Sequence, residues 1–161
     1  MSALDVRIVT LEPLQVASFL GYGENPEDIA WGKLMPWAKE KGLLDHPEQH
    51  RLFGFNNPSP SAGSPNYGYE VWIEIDPSKL EPEEGVTFKD VPGGLYAVTN
   101  CVVPKGRFEV IGQTWKKLVA WCEGSQYHFS NHQWLEESLP IHPPETEFVL
   151  DLYLPIMEGT A

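Results

Sequence analysis

Three carboxylates in this chain alternate with large aromatic rings. Glu74 follows Trp72, Glu136 follows Trp134, and Asp151 precedes Tyr153, each pair two residues apart. On a β-strand, residues two apart project from the same face. Each pair therefore sets an anionic group beside a π-system. A ring offers a negative face to a cation, and a neighbouring carboxylate adds direct attraction. Such a surface suits a flat, lipophilic cation. Phe55 joins Trp72, Trp134 and Tyr153 as a candidate ring, with Glu74 and Glu136 as candidate acids. The alternative is a half-exposed sheet face on which a tryptophan beside a glutamate has no role.

Other chemistries find less support. His128 and His132 are four residues apart, which suits a metal only on a helix, and that segment reads as loop running into strand. No metal site and no cofactor are expected. No phosphate loop, dinucleotide fingerprint or Gly-x-Ser-x-Gly elbow is present, and Pro92-Gly93-Gly94 reads as a turn. Cys101 and Cys122 do not make a disulfide framework. Cys122 reads as a small core residue on a helix.

The elements that must carry the candidates follow from periodicity. Strands are expected over residues 6–11, 15–22, 51–56, 69–75, 88–91, 95–102, 132–138 and 148–154. Asn25-Pro26-Glu27-Asp28 reads as a helix start, with Asn25 as the cap and the helix running to about Lys41 and Gly42. Pro36 inside it predicts a kink or a later start. A second helix is expected over residues 108–122, with Ile111, Trp115, Leu118 and Cys122 on one face. Residues 57–66 and the links holding Pro140, Pro143 and Pro144 read as loops, and residues 76–85 as an acidic connector.

Alternation sorts the strands into faces. Tyr69, Val71, Ile73 and Ile75 oppose Glu70, Trp72 and Glu74; Phe148, Leu150, Leu152 and Leu154 oppose Asp151 and Tyr153. Trp134, Glu136 and Ser138 share a face. The aliphatic faces are expected to pack on the helices. The other faces are expected to unite Trp72, Trp134 and Tyr153 with Glu74, Glu136 and Asp151.

The order of elements repeats. Trp31, Leu34 and Trp37 recur as Trp115, Leu118 and Trp121, at one constant offset. Each half reads strand, helix, strand, strand. The expected fold is α+β, one domain of two modules, about residues 6–76 and 86–156. A duplicated module leaves a groove between its copies, and grooves of that kind are natural ligand sites.

Net charge is −12, which repels a phosphate backbone and attracts a cationic ligand or a basic partner. Direct nucleic-acid binding is therefore not expected. The first residues, Met1 to Val6, lack the pattern of a signal peptide, and no run approaches the ~20 apolar residues of a membrane span. The cytoplasm is the expected compartment.

Asp90-Val91-Pro92-Gly93-Gly94-Leu95-Tyr96-Ala97-Val98 resembles the strand entry of gyrase-inhibitor-like (GyrI-like) ligand-binding domains. Phe53-Gly54-Phe55, the strand 69–75, the helix around Ile111 to Trp121 and Asp151-Leu152-Tyr153-Leu154-Pro155-Ile156 fall in the order of that family. The resemblance covers nearly the whole chain. It implies two modules related by a pseudo-twofold axis, with an antiparallel sheet and two main helices. It also implies a pocket glutamate on the penultimate strand, ringed by aromatics, that meets cationic drugs. Leu135-Glu136-Glu137-Ser138 is similar to that stretch, though Leu135 and Ser138 stand where the family carries aromatics. Glu136 and Glu137 both remain open, and parity with Trp134 favours Glu136; Tyr153 matches the family's late-strand aromatic.

Family members include effector domains of multidrug-responsive regulators, which place a DNA-binding domain ahead of this one. With the domain beginning at Val6, none is expected here. The resemblance implies a free-standing binder of lipophilic, cationic aromatic compounds. Its alternative is a hydrolase of cyclopropane-containing alkylating agents with Glu136 as general base. A third reading is a module that inhibits a basic protein partner.

Overall fold

A computed structural model describes residues 4–57, 63–81, 83–139 and 146–159. In chain order the elements are β1 (Val6–Leu11), β2 (Leu14–Gly23), α1 (Pro26–Glu40), β3 (Leu52–Asn56), β4 (Tyr67–Glu74), β5 (Thr87–Val91), β6 (Gly94–Pro104), α2 (Glu109–Glu123), β7 (Tyr127–Phe129), β8 (Leu135–Ser138) and β9 (Thr146–Glu158). The fold is α+β, with two main helices and antiparallel strand pairing. Contacts divide the chain into two units: residues 13–91, and residues 1–12 with 92–161.

In the unit of residues 13–91 the strand order is β3-β4-β2-β5, antiparallel throughout. The face formed by Ala17, Phe19, Tyr69, Val71, Ile73 and Ile75 packs against Ala30, Leu34, Trp37 and Ala38 of α1. In the other unit the order is β1-β6-β9-β8, and β7 pairs with the far end of β9. Ala97, Cys101, Val103, Leu150, Leu152, Leu154 and Ile156 pack there against Leu118 and Cys122 of α2.

The two units repeat one plan. Leu34 and Leu118 are both fully buried, at matching places on their helices. Each stabilises its core by about 1.5–3 kcal/mol relative to exposure. Trp31, Trp115 and Trp121 pack partly buried around these cores, and Trp37 lies within one. The repeated triplet is thus core structure in both units. The strand ahead of each sequence repeat pairs within the sheet of the other repeat: β1 pairs with β6, and β5 pairs with β2.

Helix α1 starts at Pro26 and continues through Pro36. Asn25 holds the cap position without a side-chain cap bond. The chain leaves the helix through Gly42 at φ +75°, the left-handed region that glycine tolerates. The Pro92-Gly93-Gly94 turn needs its glycines for the same reason and for space. Gly93 has φ +77°, and a Cβ there would come within 2.1 Å of the Leu11 carbonyl oxygen.

Some expectations need correcting. Residues 132–134 are not strand; β8 begins at Leu135, and a short strand, β7, precedes it. A tight turn at Pro77–Lys79, capped by the Asp76 side chain, interrupts the acidic connector. Of the expected loops, residues 58–62 and 140–145 lie outside the described residues, as do residues 1–3, 82 and 160–161. No helix among the described residues is long and apolar enough to cross a membrane. Cys101 and Cys122 are buried free thiols.

Candidate functional site

Each sheet has one face on its helix and one face without it. The helix-free face of the unit 13–91 carries Ser18, Phe53, Phe55, Glu70 and Trp72. Register enforces this grouping: Ser18 and Phe53 both stand opposite Trp72, and Phe55 opposite Glu70. The Phe55 and Trp72 rings meet edge to face, centroids 4.8 Å apart.

Glu70 is the acid of this face. Its Oε2 accepts hydrogen bonds from the Ser18 hydroxyl (2.6 Å), the Trp72 indole N–H (2.7 Å) and the Lys89 ammonium (2.6 Å). Its Oε1 accepts from the Asn57 amide at 2.9 Å. Burial by itself pushes the Glu70 carboxyl up, but the bonds from Lys89, Ser18, Trp72 and Asn57 outweigh burial and hold it below the ordinary range. Sequence reasoning placed Glu70 on this face and nominated Glu74. Glu74 instead lies at the end of β4, where it lines a cavity of about 460 Å³ with Lys41, His50 and Asp76.

In the other unit the helix-free face carries Tyr96, Leu135, Glu137, Asp151 and Tyr153. Leu135 stands opposite Tyr153, and Glu137 opposite Asp151. The Tyr153 hydroxyl donates to Glu137 Oε1 at 2.6 Å, with both residues buried. The Tyr96 ring meets Tyr153 edge to face at 5.5 Å, and its hydroxyl donates to the Gln133 carbonyl at 2.8 Å. Burial raises the Tyr96 phenol to about 12, so it remains a neutral donor. Asp151 accepts from Arg7 at 2.9 Å and from Asn100 at 3.2 Å.

Glu136 and Trp134 share a side, and it is the side of α2, where both meet Trp115. Glu136 stands opposite Leu152, a core residue beneath that helix. Its Oε2 accepts from the Trp115 indole N–H at 2.9 Å. Trp134 lies against Trp115 (5.4 Å) and Phe129 (6.4 Å). The structure therefore joins Trp72 with Phe55, and Tyr153 with Glu137. It separates Glu136 and Trp134 from Tyr153. The physical reason is register: β8 meets β9 with Leu135, not Glu136, opposite Tyr153.

These are ring-lined faces, each with a buried, hydrogen-bonded acid. Among the described residues no group of three or more His, Cys, Asp or Glu side chains could hold a metal ion.

A model of the GyrI-like small molecule binding domain matches residues 4–157. The chain belongs to that family. A protein of Pectobacterium carotovorum named as a DNA gyrase inhibitor is 30% identical over 108 residues, covering 65% of this chain and 69% of its own. Among solved structures, EcmrR in its complex with DNA aligns with a TM-score of 0.69 at 13% identity. That alignment covers 99% of this chain, which spans only 59% of the EcmrR chain. A structure described as a hydrolase from Listeria innocua aligns at a TM-score of 0.65 and 12% identity, over 98% of this chain and 94% of that one. SAV2435 bound to tetraphenylphosphonium aligns at 0.56 and 8% identity, over 96% and 94%. At these identities the structural likeness concerns the fold alone, and one fold can serve several functions.

Proposed function

We propose that this GyrI-like domain binds a lipophilic, cationic aromatic compound on the helix-free face that carries Tyr153, and that Glu137 supplies the counter-charge. The observation that carries this reading is the buried 2.6 Å hydrogen bond from Tyr153 to Glu137 beside the Tyr96 ring. A carboxylate is costly to bury unless it is paired and hydrogen-bonded. The phenol donor holds Glu137 in place next to two rings, where a cation gains both ion-pair and cation–π attraction. The net charge of −12 draws such ligands in and opposes nucleic acid. The tetraphenylphosphonium held by SAV2435 is a ligand of this chemical class on the same fold.

The test compares benzyltrimethylammonium with neopentylbenzene, its uncharged isostere, by calorimetry. Glu137→Gln should weaken binding of the cation at least about tenfold, a loss of ~1.4 kcal/mol, and leave the neutral compound unchanged. Equal losses for both compounds would refute the charge role.

A further inference from the structure

We propose that Glu70 is a second cation site and that Lys89 is its built-in counter-cation, which a cationic ligand must displace to bind. The inference takes the ligand class from the reading above but concerns a different carboxylate on a different unit.

Glu70 is held from several sides. Ser18, Trp72 and Asn57 are neutral donors to its carboxylate, and Lys89 is a cationic one. The Glu70 side chain is 4% exposed, whereas that of Lys89 is 42% exposed. Lys89 reaches inward from β5, at the end of its sheet's strand order. Its stem borders water, so the ammonium can swing out without disturbing a core. The carboxylate would then stay oriented by its three neutral donors. The Trp72 indole is tied to that carboxylate at 2.7 Å, with the Phe55 ring at 4.8 Å from its own. An oriented acid beside two rings is the surroundings a quaternary ammonium selects.

Asp151 of the other unit provides a contrast. It meets Arg7, with the Asn100 amide as its neutral donor among the described residues. Loss of its arginine would leave it far less satisfied, so that pair reads as structural. At Glu70 the neutral donors suffice to keep the acid in place, and the lysine competes with any incoming cation. A site occupied this way shows an affinity reduced by the fraction of time it is free.

The test measures benzyltrimethylammonium binding to the wild type, Lys89→Met and Lys89→Met with Glu70→Gln. Lys89→Met should bind roughly tenfold tighter or more, because the competitor is gone. Adding Glu70→Gln should abolish that gain. Unchanged or weaker binding by Lys89→Met, or a gain that survives Glu70→Gln, overturns the proposal. A second measurement uses the wild-type chain and does not depend on the variant folding. An amine-acylating reagent should modify Lys89 faster with benzyltrimethylammonium present than without it, because the ligand releases the ammonium. Unchanged Lys89 acylation across the titration overturns displacement. The Glu137→Gln experiment reads the other carboxylate, so the two ideas fail separately.

Discussion

Leu135 stands directly opposite Tyr153 in the pairing of β8 with β9, and this pairing decides which of two adjacent glutamates meets the tyrosine. A shift of one residue would exchange Glu136 and Glu137 between faces. Glu136→Gln should therefore leave cation binding within about twofold of wild type, while Glu137→Gln impairs it. Calorimetry on the two variants in parallel checks the assignment. A larger effect at Glu136 would show that the helix-side position carries the charge role.

Tyr153→Phe removes the hydroxyl that donates to Glu137. It leaves a buried carboxylate with one fewer donor, which costs about 1–3 kcal/mol. Urea unfolding should show a lower midpoint with an unchanged slope. The variant should also bind cations less tightly than wild type, since Glu137 is no longer held at its place.

The pH response of Glu70 has a definite sign. Its folded carboxyl lies below its ordinary value of 4.5. The stability that this contributes is complete above the unfolded value and disappears as pH falls through the folded one. Wild type should lose stability on acidification below about 4.5. Glu70→Gln, which cannot titrate, should lose less over the same window. Thermal melts from pH 6 down to about pH 2 compare the two slopes.

The Pro92-Gly93-Gly94 turn makes a sharper prediction. Gly93→Ala places a Cβ at a left-handed φ and against the Leu11 carbonyl. Strain and overlap should lower stability by more than the ~1 kcal/mol of an ordinary glycine substitution. Gly112→Ala, in a helix with nothing within 4 Å of the added carbon, should instead be neutral or stabilising. The thermal midpoint should fall in Gly93→Ala and hold or rise in Gly112→Ala.

Leu34→Ala and Leu118→Ala test the repeat. Both leucines are fully buried at matching helix positions, so each should cost about 2–5 kcal/mol. Chemical denaturation that found one of them nearly neutral would show that the two cores are not equivalent.

Sequence alone determined the local and periodic features of this protein. The helices begin and end near Pro26 and Gly42, and near Glu109 and Gly124, because proline, glycine and the 3.6-residue period act over a few residues. Alternation placed Trp72 with Glu70, and Tyr153 with Asp151, since the strand period is fixed by backbone geometry. The constant offset of the two Trp-x-x-Leu-x-x-Trp segments gave the repeated plan. Only tertiary structure decided that Glu137 rather than Glu136 meets Tyr153, that Glu70 rather than Glu74 meets the Trp72 indole, and which sheet β1 and β5 would join. Those choices depend on the register of strands far apart in the chain, and on donors such as Lys89, Ser18 and Asn57 that converge on Glu70 only after folding. Spacing within a strand fixes which side chains share a face. It does not fix which face the helix covers on a four-residue strand such as β8, whose sequence offers acids to both.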